Sequence, residues 1–449
     1  MSALQTIAKA INTILWDYLL LFLLIGTGIY FTFRLRFVQI RKFTEGFKRL
    51  FGSFSLKGNK SNNNELSSFQ ALTAAIAAQV GTGNIAGAAT AIASGGPGAI
   101  FWMWVSAFFG MATVYAEAVL AQKYKHTAED GTVSGGPIYY IRAAFKGKFG
   151  KILAGFFAVS ITIALGFAGN MVQSNSIGTS FENAFGIHPA ITGILVTIVA
   201  AFVFIGGIKR LASITEKLVP FMALFYVLGC LIILGINYVN IIPAFRTIFT
   251  AAFQPQAISG AVLGITIREA IRYGVARGLF SNEAGMGSTP HAHALAKVKH
   301  PSDQGFVAMT GVFIDTFIVL TMTALVIIST GLWNNGETGS YLAQSAFNSV
   351  FGPFGDMFIA ICMLLFAFST ILSWFFFGKI NAEYLFGKKF TIVYTLIALV
   401  FIFIGSLLKV DLVWEINDLF NGIMVLPNLI AVLALSSVVV KLTKDADKK

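Results

Sequence analysis

The stretch Gln79-Val-Gly-Thr-Gly-Asn-Ile-Ala-Gly87 sets glycines at 81, 83 and 87 around Thr82 and Asn84. Backbone amides in such a loop could cradle a phosphate, but a dinucleotide turn follows a strand inside a soluble βαβ unit. Residues 69–78 are instead Ala- and Leu-containing helix formers in an apolar run. Each interior glycine costs a helix about 1 kcal/mol, so Gly81 and Gly83 on either side of Thr82 point to an interruption. An interrupted helix offers amides at the start of one half, suited to a carboxylate. It offers carbonyls at the end of the other half, suited to a cation. A packing face of small residues is the competing explanation for the glycines; Thr82 and Asn84 beside them weigh toward a binding site.

Three other groups of polar residues lie inside apolar runs. Asn170 and Gln173 are three apart on one helix, and uncharged amides can bind an amino or carboxyl group without burying a bare charge. Interhelical hydrogen bonding is the alternative, and the stronger one for Gln173. Ser369, Thr370 and Ser373 place three hydroxyls on one helix. A hard cation such as sodium takes oxygen ligands of this kind, while hydroxyls also bond back to their own helix carbonyls. Trp374 follows them, as an inner-interface tryptophan or a pocket wall. Among acids, Glu117, Glu269 and Asp315 fall within runs, and an intramembrane acid is a functional hypothesis by default. Glu269 has Arg268 and Arg272 nearby, which suggests a structural or gating ion pair. Asp315 has no basic neighbour in sequence, leaving coupling, cation attraction or a hydrogen bond to a broken-helix amide.

Catalytic chemistry finds little support. The five histidines lie in loops or at run edges, with His291 and His293 expected as solvated loop residues. No H-E-x-x-H and no P-loop occurs, so the chain does not read as an enzyme or an ATPase, and no cofactor is called for. Cys230 and Cys362 sit inside apolar runs as core packing.

The elements that hold these residues follow from composition. Of 449 residues 56% are hydrophobic and 12% charged, with mean hydropathy +0.77. Soluble domains carry about 25% charged residues, so lipid is the solvent. Apolar runs of about 20 residues occur eleven times, near 14–33, 69–94, 99–121, 152–173, 190–207, 219–236, 257–280, 306–331, 354–377, 391–408 and 419–440. The first run is too long for a signal peptide and lacks a small-residue cleavage site.

The formal charge of +12 could suggest nucleic acid, but its distribution argues against that. All lysines and arginines except Lys9, Arg246 and Lys409 fall in alternate connections or the C-terminal tail, with Arg268, Arg272 and Arg277 counted toward the basic side. Basic loops stay cytoplasmic, so the N-terminus is expected outside and the C-terminus inside. Trp16, Trp102, Trp104, Trp333 and Trp414 fall near outer ends, as an aromatic belt would place them. Residues 34–64, basic and interleaved with phenylalanines, are expected as an amphipathic surface stretch.

The expected fold is an all-α integral membrane protein of eleven transmembrane helices: one extra N-terminal helix plus five plus five. An odd-numbered unit inserts its second copy upside down, the inverted repeat of many transporters. The chain then forms one transmembrane domain. Residues 1–64 are the extra helix and surface segment, 65–240 the first repeat, 241–443 the second, and 444–449 a disordered tail. The second and seventh runs occupy corresponding positions. Both are irregular: the second at Gly81–Asn84, the seventh because it turns polar after Ile267.

Val80-Gly-Thr-Gly-Asn-Ile-Ala-Gly87, Gly95-Gly-Pro-Gly-Ala-Ile-Phe-Trp-Met-Trp104, Ser134-Gly-Gly-Pro137, Gly169-Asn-Met-Val-Gln173 and Gly278-Leu-Phe-Ser-Asn-Glu-Ala-Gly285 resemble the alanine or glycine:cation symporter family over nearly the whole chain. The resemblance implies a cell-membrane symporter of small neutral amino acids, alanine or glycine. It implies coupling to sodium or, in some members, protons, and a fold of the leucine-transporter type. It implies substrate contacts at Gln79, Gly81, Thr82, Gly83, Asn84, Asn170, Gln173 and Thr370, with Trp374 as a wall keeping the side-chain pocket small. Sodium would sit between carbonyls near Ala78 and Val80 and the hydroxyls of Ser369, Thr370 and Ser373. The partners implied are the amino acid, sodium and the lipid bilayer, with no obligate protein partner. A proton-coupled symporter and a passive pore are the rival functions.

Overall fold

A computed structural model describes residues 3–52, 66–127, 129, 133–254 and 266–448. The chain is built almost wholly of helices, with a two-residue antiparallel pairing of His126–Thr127 and Val133–Ser134. Among the described residues, eight helices are long and apolar enough to cross a membrane. They are α1 (Ala8–Arg34), α4 (Gly98–Lys123), α5 (Gly147–Phe185), α7 (Gly207–Ile236), α10 (Pro301–Ser329), α11 (Pro353–Phe386), α12 (Lys388–Leu407) and α13 (Val410–Ala434). A shorter apolar helix, α6, spans Pro189–Ile205. Large side chains on α6, α7 and α12, among them Phe202, Leu224 and Leu396, face outward, as a lipid-facing surface requires. Helix α11 is far more enclosed than α12, so α11 belongs to the centre and α12 to the rim. Cys230 and Cys362 are buried free thiols.

Among the described residues, two helices are interrupted. Helix α2 (Ser68–Gln79) starts from a capping box of Ser67 and Gln70. It breaks at 80–82 and resumes through a π-helical stretch Gly83–Gly87 into α3 (Ala88–Gly95). Helix α8 (Ile267–Asn282) also starts from a capping box, Thr266 with Glu269. It ends where Glu283 turns left-handed at φ 58, and Gly285 and Gly287 follow at φ 91 and 78. Proline at the first helical position then opens α9 (Pro290–Ala294). Further π-helical stretches lie at Ala164–Gly169 in α5 and Phe313–Leu320 in α10. Such wide turns are frequent at functional sites.

Several expectations need correction. The seventh run is interrupted at 283–289, past the point where it turns polar; the part at 257–265 lies outside the described residues. Arg268, Arg272 and Arg277 are not unpaired loop charges. Arg277 lines the same cavity as Lys9, Asp411 and Glu415, and all three arginines are neutralised by ion pairs with Asp17 or Asp418. Trp16 and Trp414 are buried rather than belt residues. The basic helix Phe43–Gly52 packs on protein, with Phe43 and Phe47 against Phe313; residues 53–64 lie outside the described residues. The tail is helical over Ser436–Asp447, where Asp447 pairs with Arg41 and Lys42.

Candidate functional site

At the first break the chain loses its helical bonding and side chains replace it. The Gly81 amide donates to Asn84 Oδ1 at 3.0 Å. The Thr82 amide donates to Gln173 Oε1 at 3.2 Å, and the Thr82 hydroxyl bonds to the same oxygen. Glycine is needed here for proximity. A Cβ at Gly81 would collide with the Thr370 hydroxyl, and one at Gly83 would stand 3.0 Å from Ser281 Cα. The break is therefore pressed between α11 and α8, and Thr82 and Asn84 are fully buried.

Asn84 extends the site to α10. Its Nδ2 donates to Asp315 Oδ1 at 2.7 Å and to the Asp315 carbonyl at 3.1 Å. Ser281 Oγ lies 3.0 Å from each carboxylate oxygen, and Thr316 Oγ1 donates at 2.8 Å. Asp315 is fully buried, with no lysine or arginine among these partners. A buried carboxylate without a counter-charge survives only where hydrogen bonds replace water, and this one joins both interrupted helices.

The hydroxyls of α11 reach the last turns of α2. Ser373 donates to the Ala74 carbonyl at 3.0 Å, and Thr370 to those of Ala77 and Ala78 at 2.9 and 3.4 Å. Ser369 donates chiefly to its own helix at Phe366, 2.8 Å, with Ala77 at 3.4 Å. Oxygens of two helices thus converge. The carbonyls involved lie earlier than expected: Ala74 and Ala77 join Ala78, and Val80 is not a partner. Helix α2 keeps its winding to the end, the Val80 amide still donating to Ile76, so the turn facing α11 is the preceding one.

Three buried side-chain amides around the break each have an atom without a hydrogen-bond partner. Gln79 Nε2 donates to the Asn282 carbonyl at 2.8 Å, but its Oε1 accepts nothing. Asn170 Nδ2 donates back to Gly166 at 3.1 Å, while its Oδ1 is unpartnered. Gln173 has both hydrogen bonds on Oε1 and none on Nε2. Buried polar atoms are nearly always paired, with protein, water or ligand, so among the described residues these two acceptors and one donor are positions that a water or a ligand of mixed polarity could fill. Trp374 is 1% exposed, which removes the interface alternative.

Among the described residues, the ion pair expected of Glu269 does not form. Glu269 accepts from the Thr266 amide at 2.8 Å as a helix cap, because its place three residues after Thr266 suits a capping box. Arg268 and Arg272 pair instead with Asp17 of α1 at 3.0 and 2.7 Å. Arg277 is held by Asp418 at 2.6 Å and lies over the Trp414 ring at 4.3 Å.

The second break went unrecognised from sequence, although Gly285 and Gly287 just past a helix end were its signal. Glu117, on α4, receives the amides of Gly285 and Gly287 at 3.0 Å each and Asn428 Nδ2 at 2.6 Å. Glu283 accepts from Trp374 Nε1 at 2.5 Å and bonds the Ser288 hydroxyl. His291 and His293 are buried, contrary to expectation. The His291 ring contacts the Ser288 carbonyl and Asn381 Nδ2, both at 2.8 Å, and stacks near Phe157 and Phe377. A carbonyl on one ring nitrogen and an amide donor on the other fit a neutral imidazole with its proton on Nδ1.

Comparison with known proteins gives a consistent result. A family model described as the sodium:alanine symporter family matches residues 1–449. A Methanococcus maripaludis protein described as sodium/alanine symporter AgcS is 45% identical over 444 residues, covering 98% of this chain and 96% of that protein. Two Bacillus subtilis proteins are each 40% identical and cover 98% of this chain. One is described as a putative sodium/proton-dependent alanine carrier, with 92% of its length covered. The other is described as a probable sodium/glutamine symporter, with 90% covered. Among solved structures, an Eremococcus coleocola manganese transporter superposes with TM-score 0.53 at 14% identity, covering 82% of this chain and 78% of that one. That likeness concerns the fold alone.

Proposed function

The chain belongs to the sodium:alanine symporter family, and on that premise we propose that it couples sodium entry to uptake of a small neutral amino acid, alanine or glycine, by alternating access. It is a multi-pass membrane transporter and not an enzyme. The eight apolar helices, α6 and the two interrupted helices supply eleven crossings in this reading. The extra helix is α1, and two inverted five-helix repeats begin at α2 and α8, with the N-terminus outside.

The observation that carries the substrate assignment is the trio of half-satisfied amides beside an opened helix. The substrate carboxylate takes the place of the Asn84 and Gln173 side-chain oxygens at the Gly81 and Thr82 amides and meets the free donor of Gln173. Its ammonium meets the free oxygens of Gln79 and Asn170, and Thr370 and Trp374 border its side chain. Sodium is held by Thr370 and Ser373, with Ser369 beside them, against the carbonyls of Ala74, Ala77 and Ala78. Binding of both closes α2 against α11, and the sodium gradient gives the cycle its direction.

Replacing Thr82 or Asn84 by alanine is expected to weaken alanine binding to purified protein by about tenfold or more, one charge-assisted hydrogen bond being worth about 1.5–3 kcal/mol. Wild-type affinity in both variants would place the pocket elsewhere. The isolated carboxylate of Asp315 favours a second reading, in which a proton is the coupled ion. On sodium coupling, wild-type uptake ignores an imposed pH gradient, and Asp315→Asn lowers sodium-driven uptake. Uptake driven by a pH gradient and lost in Asp315→Asn would establish the second reading instead.

A further inference from the structure

We propose that Glu283 is the positioning residue that fixes Trp374 in place, and so sets the upper size limit on the side chain transported. The inference rests on the reading of Trp374 as a wall of the substrate pocket. A buried indole needs an acceptor for its N–H. The hydroxyls that precede Trp374 on α11 are directed at carbonyls of α2 and of α11 itself. The acceptor is Glu283 Oε1, 2.5 Å away, on the residue that caps α8.

That carboxylate is itself immobilised. Glu283 is the residue on which α8 ends, left-handed at φ 58, with its amide donating to the Leu279 carbonyl at 2.8 Å. Its other oxygen bonds the Ser288 hydroxyl across the second break. With one oxygen on the indole N–H and the other on the Ser288 hydroxyl, the carboxyl group anchors the ring at its polar edge.

Two apolar contacts complete the clamp. Phe280 meets the Trp374 ring edge-on, with centroids 5.5 Å apart. Gly169 lies so close to the ring that a Cβ there would collide with it. Three contacts therefore fix the orientation of the ring next to Asn170. Removing the carboxylate leaves the two apolar ones, which allow the ring to rotate on its two side-chain torsions and the pocket to enlarge.

The test is uptake selectivity in proteoliposomes, measured as the ratio of kcat/KM for leucine to that for alanine. The variants are Glu283→Ala, Glu283→Asp, Glu283→Gln and Trp374→Phe. Glu283→Ala is expected to raise the ratio at least tenfold, chiefly through a lower KM for leucine. Glu283→Asp, whose shorter side chain withdraws the carboxylate from the indole, should raise it less. Glu283→Gln keeps an oxygen for the indole and should stay near wild type. Wild-type selectivity in Glu283→Ala or, where that variant yields no folded protein, in Glu283→Asp overturns the proposal, as does a proportional loss for both substrates. Unchanged selectivity in Trp374→Phe would instead overturn the pocket-wall reading. Relaxed selectivity in Trp374→Phe alone would leave that reading standing and remove Glu283 from it.

Discussion

Replacing Thr370 and Ser373 together by alanine is expected to raise the sodium concentration for half-maximal alanine uptake by one to two orders of magnitude. Both hydroxyls reach carbonyls of α2 2.9–3.4 Å away, and Thr370 also bonds back to Phe366 at 3.1 Å. A polar interaction with a full charge is worth about 1.5–3 kcal/mol, and about 1.4 kcal/mol is tenfold in an equilibrium constant. Each hydroxyl lost thus removes roughly a factor of ten. Ser369→Ala serves as the internal control, since its hydroxyl is directed mainly at its own helix, and a smaller shift is expected. The check is initial uptake rate against sodium concentration at saturating alanine. An unaltered sodium response in the double variant would move the ion site off α11.

Glu117→Ala is expected to be the most destabilising single change in the buried polar network. It strands two main-chain amides and the Asn428 side chain, each now hydrogen-bonded to one carboxylate. Leaving a buried donor unpaired costs about 1–3 kcal/mol. Three such losses are comparable with the ~5–15 kcal/mol that holds a typical domain folded. Glu117→Gln retains an acceptor oxygen and should lose less. Thermal unfolding in detergent reads both: a large drop in Tm for alanine and an intermediate one for glutamine. Equal Tm values for the two variants and wild type would mean that the second break is held by other contacts.

The legible part of this molecule was the part carried by local chemistry. Gly81 and Gly83 around Thr82 marked the first break because glycine is costly in an apolar helix, and the α11 hydroxyls were visible by spacing. The second break was obscured by charge. Arg268 and Glu269 drew attention to the start of α8, whereas the glycines that open the chain lie at its far end. Nothing local indicates that Arg268 and Arg272 pair with Asp17, some 250 residues away, so in sequence they look like the charges of a free basic connection. The same holds for His291 and His293. A polar segment re-entering the protein looks like a surface loop until Phe157, Phe377 and Asn381 are seen around it. By spacing Asn170 and Gln173 fit either ligands or interhelical bonds; Gln173 does bond Thr82 of the interrupted helix, while Asn170 bonds back to Gly166 in its own helix.

Sodium-driven alanine uptake is tested most directly with purified protein in liposomes, comparing an inward sodium gradient, an inward proton gradient and no gradient. Labelled alanine is predicted to accumulate above its external concentration with the sodium gradient and to equilibrate without passing it in the other two. Equal, non-accumulating uptake in all three would contradict coupled transport and identify a passive pore. Accumulation with the proton gradient alone would contradict sodium as the coupled ion.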